Sequence, residues 1–344
     1  MASSSASSNT IAWFNDMNIQ LNRYFPLPFL VLGTIGVILN MIIFTRRSLF
    51  VNSCTHYLLG NTVANLLVLY WVVITRILSD GYKIDPSTAS DTFCKVRYFL
   101  TYVPRTLSTW FILLACADRW ASSIKVQRRF NSVSFARMVI LITTIICILS
   151  FSHVPIYFGV HKTSNSTSCY ALPGPYRIFS DLQYLVFYAL GPPLIMLAFG
   201  LATLRNLRRI HRQVLPNNVQ STKGIVRRDS QLLAMLLMQV VLIIVCTVPF
   251  AGQKLYDTFT LNVKKSSLQI AQDNLSAAIV RILAYGSHAL GFFMYTLSAR
   301  IFRMELLKTM NNVYQRLMGL NLSTTMTANV VRTQIYTAET MNIH

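Results

Sequence analysis

Apolar residues along this chain gather into long runs, separated by short polar and mostly basic segments. Seven runs are long enough to cross a ~30 Å hydrocarbon core as helices. They cover about 26–45, 57–78, 91–122, 135–158, 178–204, 232–255 and 275–297. A spanning segment must satisfy its backbone polar groups internally, and a helix does so. The pattern predicts an all-α membrane protein, a seven-transmembrane helix bundle over 26–298. Residues 1–25 read as an extracellular N-terminal segment and 311–344 as a flexible cytoplasmic tail. Between bundle and tail, 299–310 reads as a short amphipathic helix, with Ile301, Phe302 and Leu306 toward lipid and Arg303 and Lys308 toward phosphates.

The third run differs from the others. Tyr98, Thr101, Tyr102, Arg105, Ser108 and Thr109 interrupt it at helical spacing. From Cys94 to Arg119 a helix rises about 38 Å, more than the hydrocarbon thickness. A rod with such a polar stripe crosses lipid only when other helices wrap it. The third run is therefore expected at the centre.

Composition supports the membrane reading. Hydrophobic residues make up 53% of the 344 and charged residues only 12%, against about 25% charged in soluble proteins. The net charge of +20 would suggest nucleic acid in a soluble chain. Here the basic residues cluster in short loops: Arg46 and Arg47, then Lys125 to Arg129, then Arg205 to Arg228, then Arg300 to Lys308. The opposite loops hold Asp80, Asp85, Asp91, Asp257 and Asp273. The positive-inside rule then places the N-terminus outside and the C-terminus in the cytoplasm. The basic 205–228 segment suits lipid headgroups as well as a protein partner.

The sequons at Asn165 and Asn274 fall on the predicted outer side and are expected to be glycosylated, whereas the one at Asn321 falls inside. The first 25 residues lack the features of a signal peptide, so the first apolar helix is read as an uncleaved signal anchor. The six cysteines show no metal-ligand spacing. Cys94 and Cys169 lie toward the outer side, where a disulfide persists. No paired catalytic carboxylate, nucleophile elbow or phosphate loop occurs, so neither an enzyme nor a cofactor is expected.

Several separated motifs resemble the rhodopsin-like (class A) G-protein-coupled receptor family, over nearly the whole chain. They are Gly36-Val-Ile-Leu-Asn40 with Asn40 as polar anchor, Asp118-Arg119-Trp120, the Cys94-to-Arg119 spacing, Pro193, Pro249, and Tyr295 followed by Phe302. The resemblance implies a Cys94–Cys169 disulfide, an extracellular ligand, a plasma-membrane location and activation of a heterotrimeric G protein, with arrestin as a further partner through the tail. It also implies an activation role for Asp118, Arg119, Trp120, Pro249 and Tyr295. Asp229, twenty residues before Pro249, offers Arg119 a second carboxylate that would tie the third and sixth helices at rest.

Departures from the family pattern are marked. Asn65 stands where the family carries an acid, so no sodium site is expected there. Thr247 and Gly291 replace residues of the sixth- and seventh-helix switches. His288 is read as a packed polar residue. Thr101 occupies the place of the amine receptors' aspartate and Tyr285 that of the opsins' lysine, which argues against a monoamine and against retinal.

Arg76, Arg105 and Arg281 face the outer half, and burying an arginine there costs about 2.5–3.5 kcal/mol. No acidic residue is expected at their depth. Arg76 and Arg281 can snorkel to the surface, whereas Arg105 is too deep. The reading is a basic cavity for an anionic group, flanked by Tyr98, Tyr102 and Tyr285, with Asp181 or Asp273 as alternative internal counterions. A peptide, such as a neuropeptide, is the favoured ligand. Two alternatives stand beside this one: a seven-helix transporter or channel, and a receptor-like protein that does not signal.

Overall fold

The computed structural model describes residues 2–124, 132–163, 166–172, 174–213, 219–260, 263–298 and 300–317. The chain divides into two units, Met1–Ala299 and Arg300–His344. In the first unit, six helices are long and apolar enough to cross a membrane, and a seventh span is a bent pair. The spans are Ser8–Phe44, Ser53–Gly81, Asp91–Ser123, Val133–Tyr157, Pro175–Arg209, Ser230–Phe259, and Ser267–Ala289 with Gly291–Ser298. In the second unit the described residues form one helix, Arg300–Leu317. It carries Phe302 and extends well past the 299–310 expected for it.

The third span is the hub. Its most apolar stretch is 72% buried, against 22% for the fourth span. It packs against the second, fifth and sixth spans. The fourth exposes Met138, Leu141, Ile142, Ile145 and Leu149, as an edge helix facing hydrocarbon does. The first span closes tightly on its neighbours because it has no side chain at Gly33 and Gly36. A Cβ there would stand 2.7 Å from Leu69 and 2.9 Å from Phe292. Small residues at such contacts bring helix backbones together.

Two features were not legible in the sequence. Residues 2–24 form a helix, separated by Phe25 alone from the next, which begins at Pro26. Arg23 on it donates to the Gly81 carbonyl at 3.0 Å and lies 4.7 Å over the Tyr82 ring. The second feature is π-helical winding in Val68–Val73, Ile77–Gly81 and Leu185–Leu190. The third of these immediately precedes Gly191, Pro192 and Pro193. A proline ring clashes with the preceding turn and lacks a donor, and a wider turn absorbs that defect.

The seventh span bends by 52° between Ala289 and Gly291. Gln239 of the sixth span donates to the Ser287 carbonyl there at 3.3 Å. A bend needs a cause such as glycine or an inserted side chain, and both occur at this point. Strands β1, Phe158–Thr163, and β2, Ser166–Ala171, pair antiparallel, with Val160 opposite Cys169.

Candidate functional site

Cys94 and Cys169 are bonded, with Cα atoms 5.7 Å apart. The bond ties β2 to the first turns of the third span, so the hairpin lies over one end of the bundle. From this Cys94 end inward, the helices carry a succession of buried cations.

Arg97 comes first and is fully matched. It donates to Asp85 and Ser87 at 2.7 Å each, to Ser79 at 2.8 Å and to the Thr75 carbonyl at 3.3 Å. Burial opposes ionisation of Asp85, but the Ser87 hydroxyl and Arg97 outweigh it and hold the carboxyl below its usual range. Sequence reasoning passed over Arg97, because nothing in its spacing separates it from an interfacial arginine.

Arg76 and Arg281 do have an acid at their depth, contrary to the sequence expectation. Asp80 lies 3.6 Å from Arg76 and forms a short ion pair with Arg281. The second span stays helical through Gly81, which carries Asp80 into the bundle rather than into a loop.

Asp181 and Asp273 are not counterions of Arg105 either. Asp181 pairs with Lys254 of the sixth span at 2.9 Å, and Asp273 pairs with Lys265 at 2.6 Å. Lys254 was missed by the sequence reading. Its side chain is 13% exposed. The ammonium donates to Tyr102 at 3.0 Å and lies 4.6, 5.1 and 5.6 Å from the Tyr184, Tyr102 and Tyr170 rings. Thr258 and Tyr170 also donate to Asp181, the latter at 2.9 Å. Burial pushes the Tyr170 hydroxyl well above its usual range, so it stays a neutral donor. This cage binds the sixth span to the third, the fifth and β2.

Arg105 lies one turn deeper and is 4% exposed. Its Nη1 is 3.5 Å from the Tyr184 hydroxyl, and its guanidinium lies 5.7 Å over Tyr285 and 5.8 Å over Phe250. Among the described residues no carboxylate is within 4.0 Å of it. Among the described residues its Nε and the neighbouring Tyr285 hydroxyl are buried without a partner, as is Nε of Arg281. Tyr98 and Tyr102 stack into the roof above, with ring centroids 6.1 Å apart. Thr101 turns away and donates to the Arg97 carbonyl at 2.7 Å.

Below Arg105 a polar network crosses the bundle. Tyr188 meets His288 Nε2 at 3.1 Å, and His288 Nδ1 meets Asn65 at 2.9 Å. Ser108 contacts Asn65 at 2.7 Å and Asn61 at 2.8 Å, and Asn61 contacts the Tyr295 hydroxyl at 3.3 Å. Asn61 donates its Nδ2 to the Tyr295 hydroxyl, and the single Ser108 proton is shared between the Asn61 and Asn65 amide oxygens. Asn65 is thus engaged by Ser108 and His288. Asn40 is buried, but its side-chain oxygen meets no partner among the described residues.

At the far end Arg119 is buried beside Asp118, with contacts of 2.5 and 3.1 Å. It also donates to Asn52 at 3.0 Å, the residue that caps the second span. Ser53 donates to Asp118 at 2.6 Å. Trp120 packs on Phe199 of the fifth span at 5.3 Å. The side chain of Asp229 and the whole of Asn165 lie outside the described residues. Asn274 is exposed on the seventh span.

The sequence pattern of the 7 transmembrane receptor (rhodopsin family) matches residues 36–291. The chain belongs to that family. The receptor is therefore a multi-pass membrane protein, and its disulfide and seven-span bundle accord with the membership. Comparison with curated proteins returns no match.

Proposed function

We propose that the receptor binds an extracellular ligand bearing an anionic group, a peptide first among the candidates, and passes the signal to a heterotrimeric G protein. The Cys94 end then faces outward at the plasma membrane and the Arg119 end faces the cytoplasm, a placement supported by the basic loops. The observation that carries the ligand class is Arg105. A buried guanidinium without a carboxylate is destabilising until an anion reaches it, and a planar donor fork suits a carboxylate. The Tyr285 hydroxyl, beside Arg105 and without a partner among the described residues, adds a donor to the same region.

Coupling rests on Arg119. It is held at rest by Asp118 and Asn52. Release of that hold would free the end of the third span for a partner. The test is a ligand-library screen in cells reporting several G-protein pathways. A ligand with a carboxylate or equivalent acid should emerge. Arg105→Gln should abolish its response at equal surface expression, and Arg119→Ala should silence the G-protein signal while ligand binding persists. A ligand without an acidic group, unaffected by Arg105→Gln, would overturn the ligand assignment. Ligand-driven ion flux without G-protein activation would overturn the coupling.

A further inference from the structure

The Cys94 end holds a second feature, apart from Arg105. A cleft of about 380 Å³ opens among Arg177 of the fifth span, Asp257 of the sixth, Lys265 of the connecting loop, and Ile270, Asp273 and Asn274 of the seventh. Its volume falls within the ~300–1,000 Å³ typical of small-molecule sites.

The four charges are not all alike. Lys265 is committed: it bonds Asp273 at 2.6 Å and lies 4.4 Å over the Tyr256 ring. That bond raises the ammonium's pKa above its usual range and keeps it charged. Arg177 and Asp257 are uncommitted. Arg177 stacks 4.8 Å over Tyr170, and among the described residues its Nε is buried without a partner and no carboxylate lies within 4.0 Å. Among the described residues Asp257 accepts from Gln253 at 3.0 Å, and no cation lies within 4.0 Å of it. One guanidinium and one carboxylate therefore line the same cleft without neutralising each other. The lining sums to zero charge, so a simple ion gains nothing from the overall field. A molecule with separated charges gains at both ends.

We propose that this cleft is a second ligand site, for a small dipolar molecule or peptide segment with an anion for Arg177 and a cation for Asp257. Asn274 sits on its lip, so a glycan there would narrow it. The full-length receptor with Asn274→Gln, in nanodiscs, is the material for the test in every arm.

Three blocked dipeptides serve as probes in ligand-detected NMR titrations: N-acetyl-lysyl-glutamate amide, N-acetyl-lysyl-glutamine amide and N-acetyl-norleucyl-glutamate amide. The doubly charged probe should bind about tenfold tighter than either singly charged one, as one charge-assisted hydrogen bond allows. Arg177→Gln should lower it to the level of the lysyl-glutamine probe and leave that probe unchanged. Asp257→Asn should do the converse, and Arg177→Lys should retain most of the affinity. The Arg177→Gln and Asp257→Asn effects should be the same when measured in an Arg105→Gln background, where any binding of the glutamate probes at the deeper arginine is removed, which separates this site from the deeper one. Equal binding of all three probes, no saturable binding, a uniform loss in every variant, or loss of the Arg177 and Asp257 effects in the Arg105→Gln background would each overturn the proposal.

Discussion

Buried arginines in this receptor differ in what surrounds them, and the difference predicts opposite responses to one substitution. Arg97 donates to Asp85 and Ser87 from one arm of its fork and to Ser79 and the Thr75 carbonyl from the other. Arg97→Met removes the charge-assisted hydrogen bond to Asp85, which keeps its Ser87 donors, and should destabilise the ligand-free protein by about 1.5–3 kcal/mol. Arg105→Met removes a charge that has no carboxylate among the described residues. It should leave the melting temperature of the ligand-free receptor in detergent unchanged or raise it. Equal destabilisation by both changes would mean that Arg105 is a structural residue. The sequence revealed that Arg105 is deep, because helix rise fixes depth. It did not reveal that Arg76 and Arg281 share Asp80, because that depends on where a helix ends. Nor did it reveal Lys254, because a lysine near a span end looks the same whether it snorkels outward or turns into a tyrosine cage.

At the scale of the helix, span positions were legible because apolar length is a strong signal, and the disulfide followed from the family resemblance. The π turns were not, since they change how a helix is rotated without changing its composition. Asp181 lies just before one such stretch and faces the bundle, where it holds Lys254. This bond joins the Cys94 ends of the fifth and sixth spans. If it restrains the sixth span at rest, Asp181→Asn and Lys254→Gln should each raise basal signalling in pathway reporters. The exchange Asp181→Lys with Lys254→Asp should bring it back toward the starting level. Elevated basal signal in the exchange, equal to that of the single changes, would show that the local shape matters and the ion pair does not. At the other end, Asn52→Ala removes the acceptor that joins Arg119 to the second span. It also removes a helix cap, worth about 1 kcal/mol. Basal signalling should rise, and Asn52→Asp, which keeps both the cap and the acceptor, should not raise it. A rise in both would point away from this contact.

Across the whole molecule, two regions of interest lie on the third span, Arg105 near its middle and Arg119 near one end, and the polar network lies between them. Arg105 touches Tyr184, whose ring is 4.8 Å from that of Tyr188. Tyr188 leads through His288, Asn65, Ser108 and Asn61 to Tyr295. The chain of contacts draws on the second, third, fifth and seventh spans. Proximity alone does not demonstrate energetic coupling, but a double-mutant cycle measures it. Tyr188→Phe removes the hydroxyl at one end and Tyr295→Phe the hydroxyl at the other. Each alone should lower stability in detergent by about 0.6–1.7 kcal/mol, the range for hydrogen bonds between membrane helices. Residues this far apart with no shared partner add to within about 0.3–0.5 kcal/mol. A continuous network predicts a larger departure from additivity, and it predicts that Ser108→Ala, which cuts the middle, abolishes that departure. Additive effects with Ser108 intact would show that the hydrogen bonds are separate local ties. Arg105 and Arg119 would then have to communicate through the rigid body of the third span.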